Sequence, residues 1–291
     1  MPAQLPFRSA SRRAGRAGRP RHPRRPVGRL SHFRTHRCHS FACQCDPSRG
    51  QLVRVLPLRD DVPSQRFPGL TLAIIAANVA VFFVEVMQGP QIERFLLAWG
   101  FVPARYTDSH IASFFTFREQ AAPFLTSMFL HGGWMHLIGN MWTLWIFGDN
   151  VEDRLGRLGY LGLYLVGGCA ATVLHLVTNA HSTVPTIGAS GAVAAVMGAY
   201  FRLYPHARVL TVFPPFVWGP YLQLPAVMFL GWWFLLQFFN GTLSLLGNAG
   251  HAGGIAWWAH IGGFAFGLIV ALFIRDERPQ RRPSWEEEDR W

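Results

Sequence analysis

The sequence predicts an all-α polytopic membrane protein, a bundle of six transmembrane helices, on three observations. Charged residues make up only 15% of the 291, against ~25% in a soluble globular domain. Three stretches, 120–148, 158–201 and 209–274, carry no Asp, Glu, Lys or Arg over 29, 44 and 66 residues. A membrane helix needs ~20 mainly apolar residues, so each of the two longer stretches holds two crossings. Finally, the charge is segregated: every one of the 27 basic residues is Arg, and 15 of them lie in residues 1–67 against 3 acids.

Residues 1–54 are rich in Arg, Pro and Gly without hydrophobic periodicity, and are expected to be a disordered leader. They lack the apolar core of a secretory signal. Cys38, Cys43 and Cys45 lie there beside His32, His36 and His39 in no familiar zinc spacing, and Cys169 stands alone. Neither a metal site nor a disulfide framework is therefore expected, and no cofactor. A basic leader is drawn to anionic lipid, while no specific nucleic-acid partner is expected. Because the motif-bearing region begins abruptly at Val55, an alternative start at that codon, leaving the leader out of the native protein, is a further expectation.

The crossings fall at 70–87, 134–148, 158–178, 188–204, 222–239 and 255–274, within a domain of residues 55–275 followed by a charged tail, 276–291. This alternation puts 24 Arg on the side of both termini and 3 on the other, so the termini are expected to face the cytoplasm, with a plasma membrane as the expected location. The first outer loop, 88–133, holds Phe95, Leu96, Leu97, Trp99, Phe101, Phe114, Phe115 and Phe117, too apolar for a solvated linker. It is expected to lie against the membrane interface, where amphipathic rings settle. Glu85 reads as an interfacial polar group, His175 and His181 as outer-surface residues without a role, and Asp149, Glu152 and Asp153 as structural caps of a cytoplasmic turn.

Polar side chains inside the crossings are costly and mark function by default. His136 and Asn140 sit four apart on one face of the second crossing, Ser190 starts the fourth within Gly188-Ala189-Ser190-Gly191, and His260 lies about one and a half turns into the sixth. These three helices run in the same direction, so the four residues share one shallow depth. Small residues at Ser190, Ala194 and Gly198 face a matching stripe of His260, Gly263 and Gly267, which lets the helices approach and brings hydroxyl and imidazole within reach. A hydroxyl beside a neutral imidazole is an activated nucleophile. The N–H groups at the helix start, with Asn140 and His136, would hold a developing oxyanion. Alone, each signal has a plainer explanation: small-residue clusters are ordinary packing devices, and a membrane histidine equally serves a proton path.

Together, His131-Gly132-Gly133-Trp134-Met135-His136-Leu137-Ile138-Gly139-Asn140, Gly188-Ala189-Ser190-Gly191 and Ala259-His260-Ile261-Gly262-Gly263-Phe264 with Gly267 resemble the motifs of the rhomboid family of intramembrane serine proteases, of bacterial type. The resemblance spans residues 57–275 and implies the six-helix rhomboid-like bundle with a membrane-associated first outer loop. It further implies a Ser190/His260 dyad without an acid, an oxyanion site from His136, Asn140 and the Ser190 N–H, and structural support from His131, Gly188, Gly191, Gly263 and Gly267. The substrates implied are transmembrane proteins with small or helix-breaking residues near the outer surface of the bilayer. Pro57-Leu58-Arg59-Asp60 is similar to the stretch with which family members often begin. Two departures stand out: Ala194 replaces the aromatic residue that in bacterial members packs on the histidine, and Ala122-Pro123 stands where they carry a Trp-Arg pair. His251 is a rival base outside the packing stripe. The alternatives are a rhomboid-like adaptor that binds membrane helices without cutting, and a small transporter, against which the absence of an internal repeat argues.

Overall fold

The computed structural model describes residues 56–212, 221–246 and 256–274, so the expectations for the leader, the tail and His251 lie outside the described residues. Helices dominate. Those of eight residues or more are α1 (Gly69–Met87), α2 (Ile92–Trp99), α3 (Trp134–Thr178), α4 (Ser190–Leu203), α5 (Ala226–Leu246) and α6 (Trp257–Leu272). Among the described residues, Gly69–Met87, Trp134–Thr178 and Ala226–Leu245 are long and apolar enough to cross a membrane, and α6 is a shorter apolar helix. The 45-residue α3 bends at Gly156, whose φ of 71° suits glycine, so it consists of two rods where two crossings are predicted.

Helix α4 sits at the centre. Every residue from Gly191 to Tyr200 is buried, as expected of a helix apolar on all sides. Of its 14 residues only Ser190, Phe201 and Arg202 are partly exposed. The seam with α6 is a contact of backbones: a Cβ on Gly263 would strike the Gly191 carbonyl, one on Gly267 the Ala195 carbonyl, and Gly198 abuts the Phe264 carbonyl. The contact line thus runs through Gly191, Ala194, Ala195 and Gly198, one position round from the predicted Ser190 stripe. The smallest residue takes the closest approach, and the serine is left at the edge of the seam. A methyl at Gly267 has no room, so Gly267→Ala is expected to destabilise the bundle by ~1–3 kcal/mol through overpacking. Gly162→Ala, where nothing lies within 4 Å, should instead stabilise by ~0.5–1 kcal/mol through lower backbone entropy. Thermal unfolding in detergent checks both signs.

A small antiparallel sheet adds to the helices, in the order β1 (Leu56–Asp60), β2 (Arg208–Val212), β3 (Tyr221–Pro225). Leu56 pairs with Val212 and Asp60 with Val209, while Arg208 pairs with Pro225. Pro57-Leu58-Arg59-Asp60 therefore forms most of a strand. Asp60 accepts hydrogen bonds from the Tyr200 hydroxyl near the end of α4 and, at 2.9 Å, from the Asn150 amide of α3, and Trp142 Nε1 donates to the Pro57 carbonyl at 2.7 Å. The sheet fastens the chain before α1 to the first rod of α3 and to the end of α4 remote from Ser190.

Glu152 reaches from α3 to the start of α1, where its carboxylate accepts from the N–H groups of Leu70 and Thr71 at 3.0 and 2.8 Å and from the Thr71 hydroxyl at 2.8 Å. An acid at a helix N-terminus satisfies orphan donors and complements the macrodipole. Asp153 accepts from the Gln65 N–H at 2.8 Å. The predicted capping of their own turn is thereby corrected: that stretch is helical up to the bend at Gly156, and Glu152 instead caps α1 while Asp153 tethers the segment before it.

The first loop is a folded unit rather than a linker. Thr116 and Glu119 form a reciprocal capping box, Asp108 caps a second turn, and Phe101, Val102 and Leu130 are buried. Leu97, Trp99, Phe114, Phe117 and Leu125 remain exposed. Exposed large apolar side chains on a packed loop suit the predicted membrane-associated surface.

Candidate active site

His136, Ser190 and His260 all lie in the first turn of their helices: third in α3, first in α4 and fourth in α6. His260 is nearer its helix start than predicted, because α6 begins at Trp257. The shared depth is thus a shared end of three helices.

Gly188 sets the entry to α4. Its φ of 127° is open to glycine alone, and a Cβ there would lie 2.7 Å from His136 Nε2 and 3.6 Å from Ser190 Oγ. Imidazole and hydroxyl therefore border the same small space, which a larger residue would fill. The Gly188 N–H donates to the Ser127 carbonyl at 2.9 Å, and Phe101 forms a β-bridge with Thr186, so the loop before Ser190 is pinned to the first loop. His175, buried, contributes to the same loop through a 2.8 Å hydrogen bond between Nε2 and the Thr186 hydroxyl. Its expected lack of a role needs correction: it holds the segment that delivers the serine. Ala189 precedes the helix, and among the described residues no side chain caps it, which leaves the first N–H groups of α4 available to a ligand.

Two hydrogen bonds assign histidine tautomers. The Gly132 N–H donates to His136 Nδ1 at 3.4 Å, so the His136 proton resides on Nε2, the atom facing Gly188. His131 Nδ1 donates to the Phe129 carbonyl at 3.3 Å. Burial, with the His136 ring 5.2 Å away, pushes its pKa down to about 4, so His131 stays neutral. One turn below His136 on the same helix face, Asn140 is buried, and its Nδ2 has no hydrogen-bond partner among the described residues. A buried amide donor held without an acceptor suits an oxygen that arrives with a substrate.

Glu85 is the second correction. Rather than sitting at an interface, it is buried, and both carboxylate oxygens accept from the His131 N–H, at 3.0 and 3.1 Å. Glu85→Ala would leave that donor unpaired and is expected to cost ~1–3 kcal/mol, with Glu85→Gln losing less because one oxygen remains. Paired melting curves of the two variants measure the difference.

The seam brings the chain neighbours of Ser190 and His260 together. A Cβ on Gly191, the residue after the serine, would lie 3.9 Å from the carbonyl of Ala259, the residue before the histidine. Both are half-buried, and among the described residues they share no hydrogen bond. Such pairs are often loose without substrate and tighten in the complex. Gly263 and Gly267 line the seam, and Gly188 sets the turn into the serine's helix.

Two residues absent from the sequence reading surround the imidazole. Trp233 of α5 packs beside it with ring centroids 5.8 Å apart, and Gln237, one turn on, is buried with Oε1 2.8 Å from His260 Nδ1. The support that Ala194 does not give therefore comes from α5. The signal was present as an amide inside a charge-free run, the same signal that singled out Asn140.

The chain matches the Rhomboid domain family over residues 118–277. Among curated proteins it is similar to Rhomboid protein 1, mitochondrial, of Saccharomyces cerevisiae, 27% identical over 227 residues that cover 76% of this chain and 58% of that protein. It is 31% identical to the Presenilin-associated rhomboid-like protein, mitochondrial, of Bos taurus, over 67% of this chain and 46% of the relative. The human protein of that name is 30% identical over 69% and 47% respectively. The chain thus spans about half the length of the curated relatives it matches. All three are mitochondrial by name, which gives the expected bacterial type no support: the motifs carry chemistry, not lineage.

Proposed function

The chain belongs to the rhomboid family, and from that premise we propose that it is an intramembrane serine endopeptidase, cutting single-pass transmembrane proteins near the outer membrane surface. The observation that carries this reading is the meeting of Ser190 and His136 at Gly188, beside a seam that joins Gly191 to Gly263 one turn from His260. In the reaction, the Ser190 Oγ–H proton passes to His260 Nε2 as Oγ bonds to the scissile carbonyl carbon. The carbonyl electron pair moves onto oxygen, which accepts from His136 Nε2–H, Asn140 Nδ2–H and the Ser190 N–H. Collapse breaks the C–N bond as His260 returns the proton to the leaving amine. Water then repeats the sequence on the acyl-enzyme, and the serine is regenerated.

The donors must be reached by an unpaired carbonyl, and a helical carbonyl is already hydrogen-bonded. Substrates with small or helix-breaking residues near the outer surface follow. Water must reach the site through a protein-lined cavity, since bare lipid excludes it. All six apolar helical segments are read as crossings, and the arginine distribution supports both termini on the Arg-rich side.

The test is whether the wild-type full chain, purified in detergent, reacts covalently with a fluorophosphonate at Ser190 and cuts a model transmembrane substrate. A serine that merely packs ignores the probe. A chain that stays unlabelled and inert yet captures membrane helices is an adaptor instead.

A further inference from the structure

We propose that Gln237 is a positioning residue for His260, setting the imidazole's tautomer and orientation in place of the acid that the dyad lacks. The inference rests on the protease reading above and deepens it at the same site.

Gln237 lies in α5, is the first polar side chain along that helix, and is only 6% exposed. A buried amide in such surroundings is costly unless both ends are bonded. Its Nε2 donates to the Trp233 carbonyl at 3.2 Å, which a carbonyl can only accept. That bond fixes the amide's orientation and leaves Oε1 to face the histidine at 2.8 Å. Oε1 can likewise only accept, so His260 Nδ1 must carry the proton. In a neutral imidazole the lone pair is then on Nε2, the form a general base needs. When Nε2 takes the serine proton, Nδ1–H remains bonded to Gln237, and the ring keeps its aim while charged.

A glutamine that only bonded its own helix would be packing filler, but here the oxygen is used by another helix. Trp233 packs by the ring at 5.8 Å and Trp257 meets it edge-on at 6.4 Å, so the amide sets the rotation of a ring bordered by two indoles. The sequence separation of 23 residues between Gln237 and His260 means that the pairing depends on how α5 packs on α6.

The experiment combines nitrogen-15 NMR of the histidine-labelled full chain with kinetics. The His260 signals, assigned by their loss in His260→Ala, should show Nδ1 protonated and Nε2 bare in the wild type; the opposite tautomer overturns the proposal. Gln237→Met keeps the shape and removes the acceptor, and should lower kcat on the order of 10- to 100-fold with KM changed by less than about twofold. Gln237→Glu keeps an oxygen towards Nδ1 and should restore most of kcat. Equal turnover in Gln237→Met and wild type, or an equal loss in the Met and Glu variants, overturns the proposal. Should Gln237→Met fail to fold, the wild-type spectrum still decides. A wild-type chain that neither labels nor cleaves defeats the protease reading, and the tautomer remains measurable.

Discussion

Ser190→Ala and His260→Ala are each expected to lower cleavage of a transmembrane substrate by on the order of 10⁴- to 10⁶-fold, to background, and to remove fluorophosphonate labelling. Nucleophile and base act as one unit. Without the imidazole the hydroxyl keeps its proton, and without the hydroxyl there is nothing to activate. The double variant should therefore be no worse than either single one, since losses within such a unit do not add. Ser190→Ala removes a half-buried hydroxyl that has no hydrogen-bond partner among the described residues, so an unchanged melting temperature should accompany its lost activity, whereas His260→Ala leaves the buried Gln237 Oε1 unpaired and should also lower the melting temperature. His181→Ala, at an exposed residue of the loop before Ser190, should retain turnover, and so should His251→Ala. If His251 rather than His260 proved indispensable, the pairing argued from the α4–α6 seam would be wrong.

How much of this was legible in the sequence depends on the range of the interaction concerned. Charge-free runs reveal apolar helices because hydropathy is a local property, and Gly263 and Gly267 reveal close approach because nothing else is small enough. The seam position was missed by one residue: the spacing of Ser190, Ala194 and Gly198 is as regular as that of Gly191, Ala195 and Gly198, and only the backbone contact at Gly191 decides between them. The sheet was invisible, since β1 and β2 lie on opposite sides of four predicted crossings and each has only five residues. Glu85 read as interfacial because its partner is a backbone N–H that leaves no trace in composition. Gln237 is different. By the rule that exposed Asn140, a buried amide in a crossing should have been singled out, yet its meaning depends on which helix it faces.

Asn140→Ala is expected to lower kcat by about 10²–10³-fold while leaving apparent KM nearly unchanged, provided Asn140 is the principal side-chain donor to the oxyanion. The reasoning begins from the unpaired Nδ2. A buried donor without an acceptor is a cost to the free protein, so removing it should leave the resting fold as stable as before, or slightly more so. The ground-state carbonyl is a weaker acceptor than the oxyanion, and a donor placed for the latter acts mainly in the transition state. His136 Nε2–H and the Ser190 N–H border the same space and would carry part of the charge, so His136→Ala should show a partial loss and the pair of variants a loss larger than either. Steady-state kinetics on one transmembrane substrate, read beside melting curves, separates the outcomes. A raised KM with intact kcat would make Asn140 a substrate-binding residue, and a lowered melting temperature with intact kcat would make it a structural one.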